Sequence, residues 1–149
     1  MKTFIFQSEL WLPQPKAQVF NFFADAGNLQ AITPPWLRFE IITPAPITMR
    51  AGALIDYRLR VHGFPIRWQT EITDWQPPHR FVDMQRRGPY TLWHHTHTFS
   101  ELEGGTVCRD EVRYRPLGGS LTNALFVRQD VERIFAFRSE ELKRRFPAR

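Results

Sequence analysis

The chain has 149 residues, 42% of them apolar and 14% aromatic, with thirteen Phe and five Trp, and a formal charge of +5. That length suits one domain, residues 1–149, with a sizeable core, and excludes two domains of ordinary size. The positive surplus gathers late, in RDEVRYR and KRRFPAR. No zinc-finger spacing, RNP-type aromatic motif or Gly-rich phosphate loop accompanies it, so a solvated basic face is expected and no nucleic-acid partner.

Cys108 is the single cysteine, which rules out an intrachain disulfide. The opening MKTFIFQSELWL is too polar and too alternating for a signal peptide, and no apolar run approaches the ~18 residues of a membrane span. A cytoplasmic protein without stable membrane insertion is therefore expected.

In chain order, TFIFQSELWL (3–12) reads as a first strand ended by Pro13 and Pro15. KAQVFNFFADAGNLQAI follows with Ala17, Val19, Phe20, Phe23 and Ala24 at helical spacing, and Gly27 and Asn28 divide it into two short helices. Phe20, Phe22 and Phe23 are expected in core and lid packing. After Pro34 and Pro35, WLRFEIITPAPI gives a second strand before the Pro-rich corner. The segments ALIDYRLRVH, PIRWQTEITDW, RFVDMQRR, LWHHTHTFSEL and TVCRDEVRYR then read as strands, separated by the short breaks HGFP, QPPH, RGPY and LEGG. Breaks of that length make hairpins, so an antiparallel meander is expected.

Beyond Gly118 and Gly119, residues 120–146 contain no internal Gly or Pro and read as one long helix with Ser120 as N-cap. At about 100° per residue, Leu121, Ala124, Leu125, Val127, Val131, Ile134, Phe135 and Leu142 form an apolar face expected to lie on the sheet. Arg128 and Glu132 fall within that face, four apart, and Arg138 near its edge. Buried charge is costly unless paired, so these groups must pair, meet Asp83 or Asp110, or reach the opening. The element order predicts an α+β fold in which a curved antiparallel sheet of about six or seven strands wraps the last helix.

Four stretches, LPQPKAQVFNFFADAGNLQAITPP, GALIDYRLRVHGFPIRWQTEITDWQPPHRFVD, GPYTLWHHTHTF and RQDVERIFAFR, carry a resemblance in this order over essentially the whole chain. They resemble the SRPBCC superfamily, the START and Bet v 1-like helix-grip proteins, and within it the small bacterial ligand-binding, cyclase/dehydrase-like branch. The resemblance implies a helix-grip fold and a cavity for a small hydrophobic or amphipathic molecule. It also admits a polyketide cyclase or dehydratase activity.

The histidine strand bears the polar chemistry. Alternate residues of a strand share a face, so Trp93, His95, His97 and Phe99 point one way while His94 and Thr96 point the other. A two-residue loop at Glu103-Gly104 or Gly104-Gly105 puts Cys108, Asp110, Val112 and Tyr114 on the same face, with Asp110 opposite His97 or Phe99. The same parity brings in Tyr57, Leu59 and Val61, then Trp68, Thr70 and Ile72, then Phe81, Asp83 and Gln85. Phe135 and Arg138 join them from the helix. An apolar face with a few polar groups suits a ligand cavity, although Trp68, Trp93, Tyr57 and Tyr114 could equally fill a core.

His95, His97 and Asp110 are the catalytic candidates, with a His97–Asp110 pair able to act as a general base. Zinc would need a third ligand beyond the two imidazoles; Asp110 or Asp83 could supply it, but a lone His-x-His recurs by chance and carboxylates are poor predictors of zinc. A hydrogen-bonded pocket wall is expected instead, with no metal and no organic cofactor. Cys108 is expected to be a small buried hydrophobe. An interaction module for a lipid surface or a protein, acting through the basic end, is a further alternative, and a homodimer is left open.

Overall fold

The computed structural model describes residues 2–148. Seven antiparallel strands form one sheet: β1 (Phe4–Leu12), β2 (Glu40–Ile41), β3 (Leu54–Val61), β4 (Phe64–Gln76), β5 (Arg80–Arg87), β6 (Tyr90–Leu102) and β7 (Gly105–Pro116). Their order across the sheet is β1-β7-β6-β5-β4-β3-β2. Two short helices, α1 (Lys16–Ala24) and α2 (Asn28–Ala31), stand between β1 and β2 as expected.

The hairpins follow from local chemistry. His62-Gly63 and Glu103-Gly104 are two-residue turns with φ of 51° and 82°, and 49° and 76°, the left-handed backbone that matches strand twist. The second turn pairs Leu102 with Gly105 and thereby sets His97 opposite Asp110, one of the two registers the sequence allowed.

Three expectations need correction. The second strand is only Glu40–Ile41, preceded by a 3₁₀ turn at Pro35–Leu37. Pro44 and Pro46 lack the N–H that a strand would donate, and Thr43 instead caps the ladder by accepting from the Asp56 N–H at 2.8 Å.

The long C-terminal helix runs without a break from Gly119 to Arg145, as expected, but it is not α-helical throughout. It begins as α3 (Gly119–Thr122), widens through a π-helical turn at Asn123–Val127, and continues as α4 (Arg128–Arg145). Gly118 precedes it, and no side-chain cap forms, so Ser120 is not the N-cap. The π turn inserts a residue into the helical count and changes which face meets the sheet. Asn123 is turned inward and accepts a 2.7 Å hydrogen bond from the Tyr114 hydroxyl. Leu121, Ala124 and Leu125 consequently face solvent, the two leucines 70% and 56% exposed.

The third correction concerns Arg128 and Glu132. They do pair, at 3.1 Å, but on the solvent side of α4 rather than within its buried face. The stripe that α4 lays across the concave side is Val131, Phe135, Arg138 and Leu142.

The packed core has its densest part at one end of the sheet. Leu12, Val19, Phe20, Ile32, Phe81, Phe99, Cys108, Leu142 and Phe146 cluster there, with Phe20 edge-on to Phe81 and Phe99. Cys108 lies inside this cluster, and burial followed by the charge of Asp110 pushes its thiol up to about 12. It is a packing residue there.

Candidate functional site

Toward the other end of the sheet, Val131 and Phe135 of α4 pack on Phe6, Val112 and Tyr114 at the β1–β7 side, while the rest of the concave face stays open. Between sheet and helix there lies a cavity of about 940 Å³. Its walls come from β3, β4, β5 and β6, from α1 and α2, and from α4. Tyr57, Leu59, Trp68, Thr70, Ile72 and Phe81 line it, as do Asp83, Trp93, His95, His97, Phe135 and Arg138. Trp68 stands edge-on to Trp93, with ring centroids 5.4 Å apart, and its indole N–H donates to the Thr70 hydroxyl at 3.1 Å. Burial, then the charge of Asp83, pushes the Tyr57 phenol well above its ordinary value, so it is a neutral wall group.

The cavity has a polar inner end. Strand alternation turns His95 and His97 inward, each 4% exposed, and β5 places Asp83 directly opposite His95. The hydrogen bonds, however, run diagonally. His97 Nε2 donates to Asp83 Oδ2 at 2.5 Å, and His95 Nε2 donates to Asp110 Oδ1 at 2.7 Å. The pair expected between His97 and Asp110 is thus the longer contact, 3.4 Å from Nδ1. Diagonal reach is favoured because the two imidazoles stack on each other, centroids 3.6 Å apart, which directs their Nε2 atoms past the residues opposite. Phe81 covers the other face of His97, centroids 3.9 Å apart.

Arg138 closes the cluster from α4. Its Nη2 lies 3.6 Å from Asp110 Oδ1 and 3.4 Å from His97 Nδ1, and its guanidinium lies over the rings of Phe23 and Phe135. Burial would raise both carboxyls, but the attached charges and hydrogen bonds prevail. Arg138 and then His95 hold Asp110 well below the usual carboxylate range. His95, His97 and Arg138 hold Asp83 below it as well. Burial, reinforced by the neighbouring His95, takes His97 down to about 4 against the pull of Asp83 and Asp110, so it is neutral near pH 7.

Four expected site residues stand outside the cavity wall. Asp110 lies behind the imidazoles, holding His95 from the side away from the space. Phe99 is in the packed core. Gln85 clamps the β5–β6 turn through the Tyr90 backbone, donating to its carbonyl at 2.7 Å. Tyr114 is the anchor for Asn123. The sequence reading in turn missed Tyr90, which sits beside Trp68 and Trp93 at 5.6 and 4.9 Å between centroids. A register shift at Tyr90/Leu92 brings it inward, and it had been placed in a turn. Ile55 and Leu29 also line the space. Ile55 has the parity of Tyr57 and could have been found by it.

The ligand atoms of Asp83, His95 and His97 lie within 4.8 Å of one another. One carboxylate and two imidazoles form a donor set that transition ions accept. Both Nε2 protons already bridge to carboxylates, so binding an ion through His97 Nε2 would displace a proton.

A curved sheet gripping a helix over a cavity with a polar end defines the class as a helix-grip domain. The chain belongs to the polyketide cyclase/dehydrase and lipid transport family, whose model matches residues 12–138, and through it to the SRPBCC superfamily. Major latex-like protein 151 of Panax ginseng has a similar structure, with a TM-score of 0.72 and 8% identity over 98% of this chain and 99% of its own. Protein Ms6760 of Mycobacterium smegmatis gives 0.67 and 18% over 94% and 87%. The nucleoside-diphosphate sugar epimerase of Corynebacterium glutamicum gives 0.69 and 22%, over 92% of this chain and 28% of the epimerase. At these identities the likeness establishes fold alone. No curated protein matches the chain. No helix among the described residues is long and apolar enough to cross a membrane.

Proposed function

We propose that the protein binds a small hydrophobic or amphipathic molecule, of lipid, polyketide or aromatic type, in the cavity between the sheet and α4. The observation that carries this reading is the cavity itself. Its volume, about 940 Å³, falls at the upper end of the range of small-molecule sites. Tyr57, Leu59, Ile72, Trp68 and Trp93 would enclose the apolar body, where each buried methylene contributes about 0.8 kcal/mol. The polar cluster at the inner end would orient the head group.

Native mass spectrometry of the purified chain, followed by denaturation and extraction, tests the reading. A released compound of matching mass, or a raised Tm with members of a panel of fatty acids, flavonoids and polycyclic aromatics, is the expected result. No retained compound together with no shift across the panel would overturn it.

A cyclase- or dehydratase-like activity is a second reading, favoured by one observation. Asp110 holds the Nε2–H of His95 at 2.7 Å, which orients the ring, fixes its tautomer and leaves Nδ1 on the cavity side as a proton acceptor. The catalytic pair would then be His95 and Asp110. Conversion of a poly-β-keto thioester by the wild-type chain, lost in His95→Gln while binding persists, would establish it; unchanged conversion in that variant would remove it.

A further inference from the structure

We propose that the inner end of the cavity is a seat for a hydrogen-bond donor, so that the ligand presents a hydroxyl, phenol or ammonium group to Asp83 beside His95, and that free carboxylates are turned away. The inference rests on the cavity being a ligand site and specifies the head group it takes.

Carboxylates only accept, so Asp110 and Asp83 hold a proton on the Nε2 of each imidazole. His97 then has no open position, because its Nδ1 already faces Arg138 Nη2 at 3.4 Å. His95 does have one. Its Nδ1 faces Asp83 Oδ2 across 3.7 Å, beyond hydrogen-bond reach. The ring nitrogen and the carboxylate oxygen thus face each other at the wall of a cavity with no bond between them, and a ligand donor placed there would reach Asp83 Oδ2.

Charge points the same way. Asp83 and Asp110 are two carboxylates held in their charged form at this end, and the guanidinium of Arg138 lies 3.6 Å from Asp110. Arg138 is not a free anion seat, since Asp110 and His97 occupy its Nη2 side and its Nε is sealed from solvent without a partner. A carboxylate entering this end would be desolvated beside the charged carboxylate of Asp83, which is unfavourable. A hydroxyl or ammonium would instead donate to it.

Isothermal titration of the purified chain with 2-naphthol, 2-naphthylmethylammonium, 2-naphthoate and 2-methoxynaphthalene separates the possibilities. The four probes share one apolar body and differ in the head. The naphthol and the ammonium are expected to bind at least about tenfold more tightly than the naphthoate or the ether, as one charge-assisted hydrogen bond predicts. Asp83→Asn removes the charge with little change of shape and is expected to bring the naphthol and naphthoate within about threefold of each other, with the ether little changed. The wild-type series decides the question by itself should that variant not fold. Naphthoate binding as tightly as naphthol would overturn the seat and leave cavity binding standing. Failure of all four probes would overturn cavity binding and the seat with it. A stoichiometric divalent ion in the purified chain, removed by chelator and absent from Asp83→Asn, would also overturn the seat, because Asp83 would then serve a metal.

Discussion

The two ends of the sheet are built from the same residue types and do opposite things with them. At one end Phe20, Phe81 and Phe99 from α1, β5 and β6 interlock with Leu12, Cys108 and Leu142 and leave no usable space. At the other, Tyr57, Leu59, Trp68, Tyr90 and Trp93 stand around a void. Aromatic content therefore does not distinguish a core from a cavity; what differs is how many helix side chains come down onto the rings. At the filled end α1 and the end of α4 supply Phe20, Leu142 and Phe146. The polar cluster marks the boundary, with α4 contributing an arginine where a leucine would have continued the packing.

The largest effect should come from the filled end. Phe20 is 1% exposed and packs against Trp75, Phe81 and Phe99, so Phe20→Ala is expected to cost about 3–5 kcal/mol in denaturant unfolding. Loss below 1 kcal/mol would mean that this end is not the tighter one.

Arg138→Leu tests the boundary and should cost about 3 kcal/mol, chiefly by stranding Asp110 and Asp83 as buried charges. Its deficit relative to wild type should shrink on acidification, since the stranded carboxyls would take up protons that the wild-type pair refuses. A deficit independent of pH would indicate lost packing instead.

The wild-type chain should itself weaken with acid, in two stages. His97 has a folded pKa near 4, below its ordinary 6.5. Between those values the unfolded chain binds the extra proton, so stability falls as the pH drops from about 6.5 toward 4. The depressed carboxyls of Asp83 and Asp110 act below that. Their stabilisation is complete above the ordinary carboxylate pKa of 3.8 and is lost as the pH falls further. Urea midpoints measured from pH 7 to pH 3 check this, and a flat profile above pH 4 would contradict the assignment for His97.

Leu59→Ala, at the hollow end, removes a side chain that already lacks neighbours on its cavity side. About 1–2 kcal/mol is expected, below the usual range for a filled core, together with weaker binding of every hydrophobic probe. The smallest effect belongs to Arg128→Ala. Its ion pair with Glu132 is exposed and should contribute less than about 0.5 kcal/mol.

Much of this layout could be read from the sequence, and the failures share a cause. Parity placed Tyr57, Leu59, His95 and His97 on the inner face because β3 and the middle of β6 run without interruption. Parity only counts residues, and it fails wherever one is added. A bulge between Ile72 and Asp74 brings Trp75 into the core against Phe20 and Phe81. The shift at Tyr90/Leu92 hides Tyr90 in the same way, and the π turn turns Leu121 and Leu125 out to solvent. Directions between side chains were also out of reach: the sequence put Asp110 opposite His97 or Phe99, of which the structure has His97, but could not show that stacked rings would send each imidazole to the diagonal carboxylate.

The position of β1 at the end of the sheet has a consequence for how the chain is made. Its sheet neighbour is β7, with Phe4 against Tyr114 and Leu12 against Thr106. On a ribosome the first strand to emerge therefore waits, unpaired, until nearly all the rest of the meander has been synthesised. During that interval its alternating Phe4, Phe6 and Leu10 side chains have no partner surface, and such a segment is prone to associate with other chains. Closing so distant a pairing is also a slow event. The β1–β7 seam should then be the last part of the sheet to form, and the stage at which crowding or a chaperone has most influence on yield.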